Sequence, residues 1–148
     1  MEKMKIMLVD DEERFLTTTK KLLTKKGIEV VTAASGAEAL DTLNSRSIHV
    51  VILDVKMPGM DGNETLKEIK TRFPLVEVIM LTGHATVESA IDGLKSGATD
   101  YLMKPTGIDE LIEKATEAFE KRQRLEEKIR LVQARKFMKS PREILRES

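Results

Sequence analysis

Five short runs of this chain are apolar almost from end to end: residues 6–9, 30–34, 48–53, 76–81 and 101–103, the second of them the weakest. A strand with one wet face alternates apolar and polar residues. A run that does not alternate is buried on both faces, as in a parallel sheet covered by helices. The segments between the runs carry helical spacing instead: Phe15, Leu22 and Leu23; Ala37, Leu40 and Leu43; Leu66, Ile69 and Phe73; Val87, Ile91 and Leu94; Leu111, Ala115 and Ala118. Gly27 and Gly97 stand where helices should stop. Ser35 and Thr106, the latter with Asp109 three residues on, stand where helices should start. Strict alternation of such strands and helices predicts an α/β, (βα)5 doubly wound domain over about residues 4–120. It is a five-stranded, flavodoxin-like parallel sheet.

In that architecture ligands collect beyond the carboxyl ends of the strands, where the strand order reverses. The first run ends on Asp10 and Asp11, the third on Asp54, the fourth on Thr82, and the fifth on Lys104 followed by Pro105. Any one of these is an ordinary loop or surface residue when taken alone. Together they bring three carboxylates, a hydroxyl and an amine to one edge. Two carboxylates about 4 Å apart repel by about 4 kcal/mol at an effective dielectric near 20, a large part of a stability of roughly 5–15 kcal/mol. Such a cluster should hold a cation. An oxygen-only donor set without His or Cys nearby selects Mg²⁺ over zinc. Magnesium held by few protein ligands commonly meets phosphate oxygens. Asp54 is then a candidate nucleophile forming an acyl phosphate. Lys104 serves a phosphoryl oxygen or, without one, the charge of Asp54, and Thr82 is a hydroxyl donor.

The stretches "VDDEE", "VILDVKMPGMDG", "VIMLTGH" and "GATDYLMKP" resemble, in order, the signature segments of the receiver domain of two-component response regulators. The resemblance covers about residues 4–120, and its flavour is that of nitrogen-regulation-type receivers. It implies metal binding by Asp10 and Asp11, with Asp11 the direct ligand, by the phosphoacceptor Asp54, and by the main-chain carbonyl of Lys56. It further implies Thr82 as the switch hydroxyl, Tyr101 as the aromatic switch residue, Lys104 as the phosphoryl-binding amine, and a cis Lys104–Pro105 bond. Gly62 resembles the glycine closing the loop after the phosphoacceptor, and Gly83 frees the backbone after Thr82. Lys56 and His84 fall where the family tunes phosphate lifetime, although His84 also reads as a plain exposed loop residue. His49 reads as a surface residue at a strand's start. The implied partner is a histidine kinase or phosphotransfer protein. The implied activity is a signalling switch, with only slow self-phosphorylation and self-dephosphorylation.

Other classes fit worse. An Asp-nucleophile phosphatase of the haloacid-dehalogenase type needs an acid two residues after its nucleophile, where Lys56 stands after Asp54. The pair Asp10 and Glu12 has that spacing but no lid domain. No G-x-G-x-x-G follows the first strand, so dinucleotide binding is not indicated. The chain has no cysteine, which excludes disulfides and thiol chemistry. No apolar run suits a signal peptide or a membrane span, so a cytoplasmic setting is expected.

The charge is divided. Residues 1–120 hold 15 basic against 21 acidic side chains, a balance of −6, and residues 121–148 hold 10 against 4, a balance of +6. This predicts a receiver body over 1–120 and a basic helical extension or linker over 121–148. Leu111, Ala115, Ala118, Arg122, Leu125, Ile129 and Val132 keep a 4-3 spacing, so the fifth helix should run on past the body. "SPRE" at 140–143 reads as the start of a last helix bearing Ile144 and Leu145. Three readings stand for the tail. It is a coiled-coil-like homodimer or partner-binding helix, a linker cut from a longer transcriptional regulator, or a flexible basic tail. Nucleic-acid contact has little support: no helix-turn-helix is visible, and Phe137 is the tail's only aromatic.

Overall fold

The computed structural model describes residues 2–83 and 86–137. His84, the 140–143 cap, Ile144, Leu145 and the side chain of Phe137 lie outside the described residues. The elements are β1 (Lys5–Val9), α1 (Glu13–Lys25), β2 (Glu29–Ala33), α2 (Gly36–Ser45), β3 (Val50–Leu53), α3 (Gly62–Arg72), β4 (Glu77–Thr82), α4 (Val87–Lys95), β5 (Asp100–Met103) and α5 (Ile108–Phe137). All five strands are parallel, in the order β2-β1-β3-β4-β5.

The non-alternating runs bury both of their faces. Met7 and Val9, Val51 and Leu53, and Val78 and Met80 point into one core with Leu40, Leu43, Leu66 and Ile69 of α2 and α3. Their neighbours Ile6 and Leu8, Val50 and Ile52, and Ile79 and Leu81 point into a second core with Leu16, Leu23, Leu111, Ala115 and Ala118 of α1 and α5. Each such side chain taken from water contributes about 1.5–3 kcal/mol. The three central strands therefore fix the layer order, with α1 and α5 on one side and α2 and α3 on the other.

The helix ends follow local chemistry. Ser35 Oγ accepts from the Glu38 N–H at 3.1 Å and Asp61 Oδ1 from the Glu64 N–H at 2.9 Å, capping α2 and α3. Thr86 and Ser89 form a reciprocal capping box at α4. Gly27 and Gly97 take φ of 80° and 107° just beyond α1 and α4, as helix stops require. Thr106 is not the cap of α5. Leu111 N–H already bonds to Gly107 O, and the Thr106 hydroxyl donates to Glu110 instead.

Two helices bury other residues than those that marked their spacing, and one expectation about burial, that for His49, is corrected. Leu22 is exposed, because the α1 stripe centres on Leu16 and Leu23. On α4, Val87, Ile91 and Leu94 are exposed, and Gly93 is the buried residue, facing the ring of Tyr101. His49 is not a surface residue but is only 1% exposed. Its Nδ1 accepts the Lys5 N–H at 2.9 Å, so its Nε2 carries the proton and donates to Glu2 at 2.8 Å. Phe119 of α5 packs edge-on against the imidazole, with centroids 4.9 Å apart.

Two further contacts fasten α5 at this lower end of the sheet. Arg122 donates to Ile48 O at 2.6 Å, and Lys121 lies 3.8 Å from the buried Glu77. Beyond them α5 continues unbroken to Phe137, with Leu125, Ile129, Leu131 and Val132 exposed. Among the described residues, no helix is long and apolar enough to cross a membrane.

Candidate functional site

Sheet register brings the predicted residues together. Asp54 N–H donates to Val9 O at 2.9 Å and Lys104 N–H to Thr82 O at 2.9 Å, so each loop leaves its strand beside its neighbour's. β1 and β3 are adjacent while β2 lies on the far side of β1, and the crevice opens at that reversal. Carboxylate oxygens of Asp10, Asp11 and Asp54 all lie within 4.8 Å of one another. Asp10 and Asp54 are buried, and Asp11 is exposed. A cleft of about 230 Å³ is lined by Asp11, Glu12, Asp54, Lys56, Gly83 and Lys104. A larger groove of about 830 Å³ runs along α1 and shares only Asp11 with this cleft, so size does not mark the chemistry here.

The electrostatics are those of an over-acidic site. Burial pushes the Asp54 carboxyl above its ordinary range, and the charge of Asp10 adds to this. Lys104, the Thr82 hydroxyl bonded to the carboxylate, and the Val55 N–H pull the other way. Asp10 uses one oxygen to accept the Glu12 N–H at 2.9 Å and the other to accept Lys104 Nζ at 2.5 Å. The direct partner of Lys104 is therefore Asp10, with Glu12 at 3.8 Å. The expected pairing with Asp54 is reduced to an attraction between charges at longer range. The Lys104–Pro105 bond is cis.

Gly62 packs directly on the backbone of Asp54 and Val55. Its N–H donates to Val55 O at 2.8 Å, and a Cβ there would lie 2.3 Å from Asp54 O. Tyr101 is half-buried, and its hydroxyl lies 3.2 Å from Ser89 Oγ, which ties β5 to the first turn of α4.

Two neighbours of Lys104 were not anticipated, Glu12 and the ring of Phe15, whose centroid lies 4.1 Å from Nζ. A signal for them existed. Glu12 and Phe15 are three residues apart at the start of α1, hence on one face beside the β1 tip.

The donor set suits a hard divalent cation. It consists of oxygens only, it clusters three carboxylates, and burial together with the charge of Asp10 holds one of them above its ordinary range.

Comparison with known proteins agrees. Residues 6–116 match the response regulator receiver domain family. The transcriptional regulatory protein ZraR of Klebsiella oxytoca is 41% identical over 110 residues, covering 74% of this chain and 25% of that protein. The DNA-binding transcriptional regulator NtrC of Escherichia coli K12 is 37% identical over 121 residues, covering 80% of this chain and 26% of that protein. The chain thus spans about a quarter of the curated relatives it matches. Among solved structures, a receiver domain protein from Clostridium thermocellum superposes with a TM-score of 0.77 at 42% identity, covering 82% of this chain and 98% of that one. NtrX from Brucella abortus gives 0.82 at 33% identity, covering 88% and 30% respectively. Five parallel strands in this order, an acidic crevice at their reversal and these matches together place the chain in the response regulator receiver domain family, the switch module of two-component signalling.

Proposed function

We propose that Asp54 is the phosphoacceptor and that Asp10, Asp11, Asp54 and the Lys56 main-chain carbonyl form the Mg²⁺ site. The observation that carries this reading is the three-carboxylate cluster with Lys104 at its edge. A carboxylate oxygen of Asp54 attacks the phosphorus of a phosphohistidine on a histidine kinase or phosphotransfer protein. The O–P bond forms as the N–P bond breaks, and the imidazole nitrogen leaves with the electron pair. Magnesium supplies charge neutralisation for the phosphoryl oxygens. Lys104 leaves Asp10 for one of those oxygens, and the Thr82 hydroxyl, bonded to Asp54 at rest, turns to another. Attack by water on the acyl phosphate reverses the state, so turnover is a slow self-dephosphorylation. Tyr101 reports the change to α4 and β5, where Val87, Ile91, Leu94 and Met103 offer an exposed apolar surface. The partner and the chemistry set this chain in the cytoplasm.

Incubation with acetyl phosphate and Mg²⁺, followed by intact-mass spectrometry, tests this reading. One phosphoryl group should add, and none should add when the metal is chelated. A wild-type chain left unlabelled, and unable to bind beryllofluoride, would exclude Asp54 as an acceptor.

We assign residues 1–120 to the receiver body and 121–148 to an extension that serves as a homodimer helix or as the linker of a longer transcriptional regulator. The first role is favoured by the exposed Leu125, Ile129 and Val132, which continue the 4-3 stripe of Leu111, Ala115 and Ala118. Support for the second comes from relatives of which the chain covers only about a quarter. Leu125→Asp combined with Ile129→Asp should leave the body folded and convert a dimer to monomer by light scattering. A dimer that survives both substitutions places the interface elsewhere.

A further inference from the structure

Lys104 is held from three sides before any phosphoryl group arrives. Its ammonium lies 2.5 Å from Asp10 Oδ2, 3.8 Å from Glu12 Oε1 and 4.1 Å from the ring centroid of Phe15. The side chain is only 16% exposed, which strengthens attraction between the cation and the ring face. Both oxygens of Asp10 are engaged, one by the Glu12 N–H and one by Lys104. A cation or phosphoryl group entering the cleft therefore competes with the Lys104–Asp10 pair.

Phe15 belongs to α1 and is half-buried beside the second core, so its backbone position is set by packing independent of the site. Together with Lys104, Pro105 and Thr106 it lines a separate apolar hollow just outside the acidic cleft. A leucine or methionine at residue 15 would fill similar core space but offer no negative π face to an ammonium.

Resting on the reading of Asp54 as phosphoacceptor, we propose that Phe15 is a positioning residue: its ring latches Lys104 onto Asp10 in the unphosphorylated state. The latch stabilises the resting arrangement alone, so by linkage it opposes every event that needs Lys104 elsewhere. Weakening it lowers the barrier to phosphorylation and eases metal entry. Strengthening it does the reverse.

Wild type, Phe15→Met and Phe15→Tyr are compared, each over residues 1–148. Labelling by acetyl phosphate with Mg²⁺ should be roughly three- to tenfold faster in Phe15→Met, the range of one lost cation–π contact. Phe15→Tyr keeps the ring face and should label at the wild-type rate, which separates the latch from mere packing. Proton NMR reads the contact itself. The Lys104 ε-methylene protons should be shifted upfield by the ring in metal-free wild type and Phe15→Tyr, but not in Phe15→Met. They should return to their ordinary position when Mg²⁺ and beryllofluoride are added. Labelling of Phe15→Met no faster than wild type, or an upfield shift that survives beryllofluoride, overturns the latch. A wild type that neither takes label nor binds beryllofluoride instead overturns the reading of Asp54, and the NMR shift of the metal-free chain still reports on the contact.

Discussion

Replacing Asp54 by asparagine should abolish phosphoryl labelling completely and at the same time make the metal-free protein more stable. The first effect follows because an amide nitrogen or oxygen is no substitute for a carboxylate nucleophile. The second follows from the crowding of the site. Burial and the charge of Asp10 hold the Asp54 carboxyl above its ordinary range, so the folded chain keeps that proton to higher pH than the unfolded chain does. Stability is therefore lost as pH rises from the unfolded to the folded titration range, and the loss is complete above it. Asparagine cannot ionise and avoids the loss. At neutral pH without Mg²⁺ the variant should gain on the order of 1 kcal/mol in urea unfolding, the part of the burial cost and of the repulsion from Asp10 that Lys104 and Thr82 do not offset. The gain should vanish on acidification below about pH 3, where both states hold the proton. Magnesium should stabilise the wild type more than the variant and so narrow or reverse the difference. A variant less stable than wild type in the absence of metal would contradict this account of the cluster.

Gly62→Ala should be the most damaging single-methyl change near the site. The added carbon would lie 2.3 Å from Asp54 O and 2.5 Å from Val55 Cα, and both neighbours are backbone, so no flexible side chain can yield. Relief requires α3 to withdraw from the β3 tip or the Asp54 peptide to turn. A cost of more than about 3 kcal/mol is expected, at the upper end of overpacking effects, with labelling slowed in whatever fraction remains folded. Gly59→Ala is the informative control. Gly59 has φ of 80° but nothing within 4 Å of a new Cβ, so only the backbone preference is lost. That change should cost about 1–2 kcal/mol. Equal urea midpoints for the two variants would show that close packing at Gly62 is not what matters.

The elements that could be read from the sequence were those dictated by one-dimensional pattern. Non-alternating runs gave the strands to within two residues, and the acids, hydroxyl and amine at their tips are the groups the structure brings together at one edge. What pattern could not supply was partnership. The apolar residues of α4 have helical spacing yet face outward, because Gly93 rather than Ile91 or Leu94 packs against Tyr101. His49 looked like a strand-edge surface residue because its partners, Glu2 and Phe119, lie 47 and 70 positions away. Lys104 was expected opposite Asp54, since charge alone suggests that pairing. The choice of Asp10 depends on where α1 sets Glu12 and Phe15, a matter of loop geometry and not of residue type.

The attachment of α5 has a mechanical meaning. Its thirty residues form a rod of about 45 Å. One end lies four residues after Lys104, and Arg122, fastened to Ile48 O, sits close to the midpoint. Arg122 divides the rod into two halves of about 21–23 Å at 1.5 Å per residue, the first packed on the second core through Leu111, Ala115 and Ala118 and the second exposed along Leu125, Ile129, Leu131 and Val132. The buried half therefore sets the direction in which the exposed half leaves the body. Cutting the Arg122 fastening would leave Phe119 on His49 and Lys121 near Glu77 as the holds on that direction at this end of the sheet.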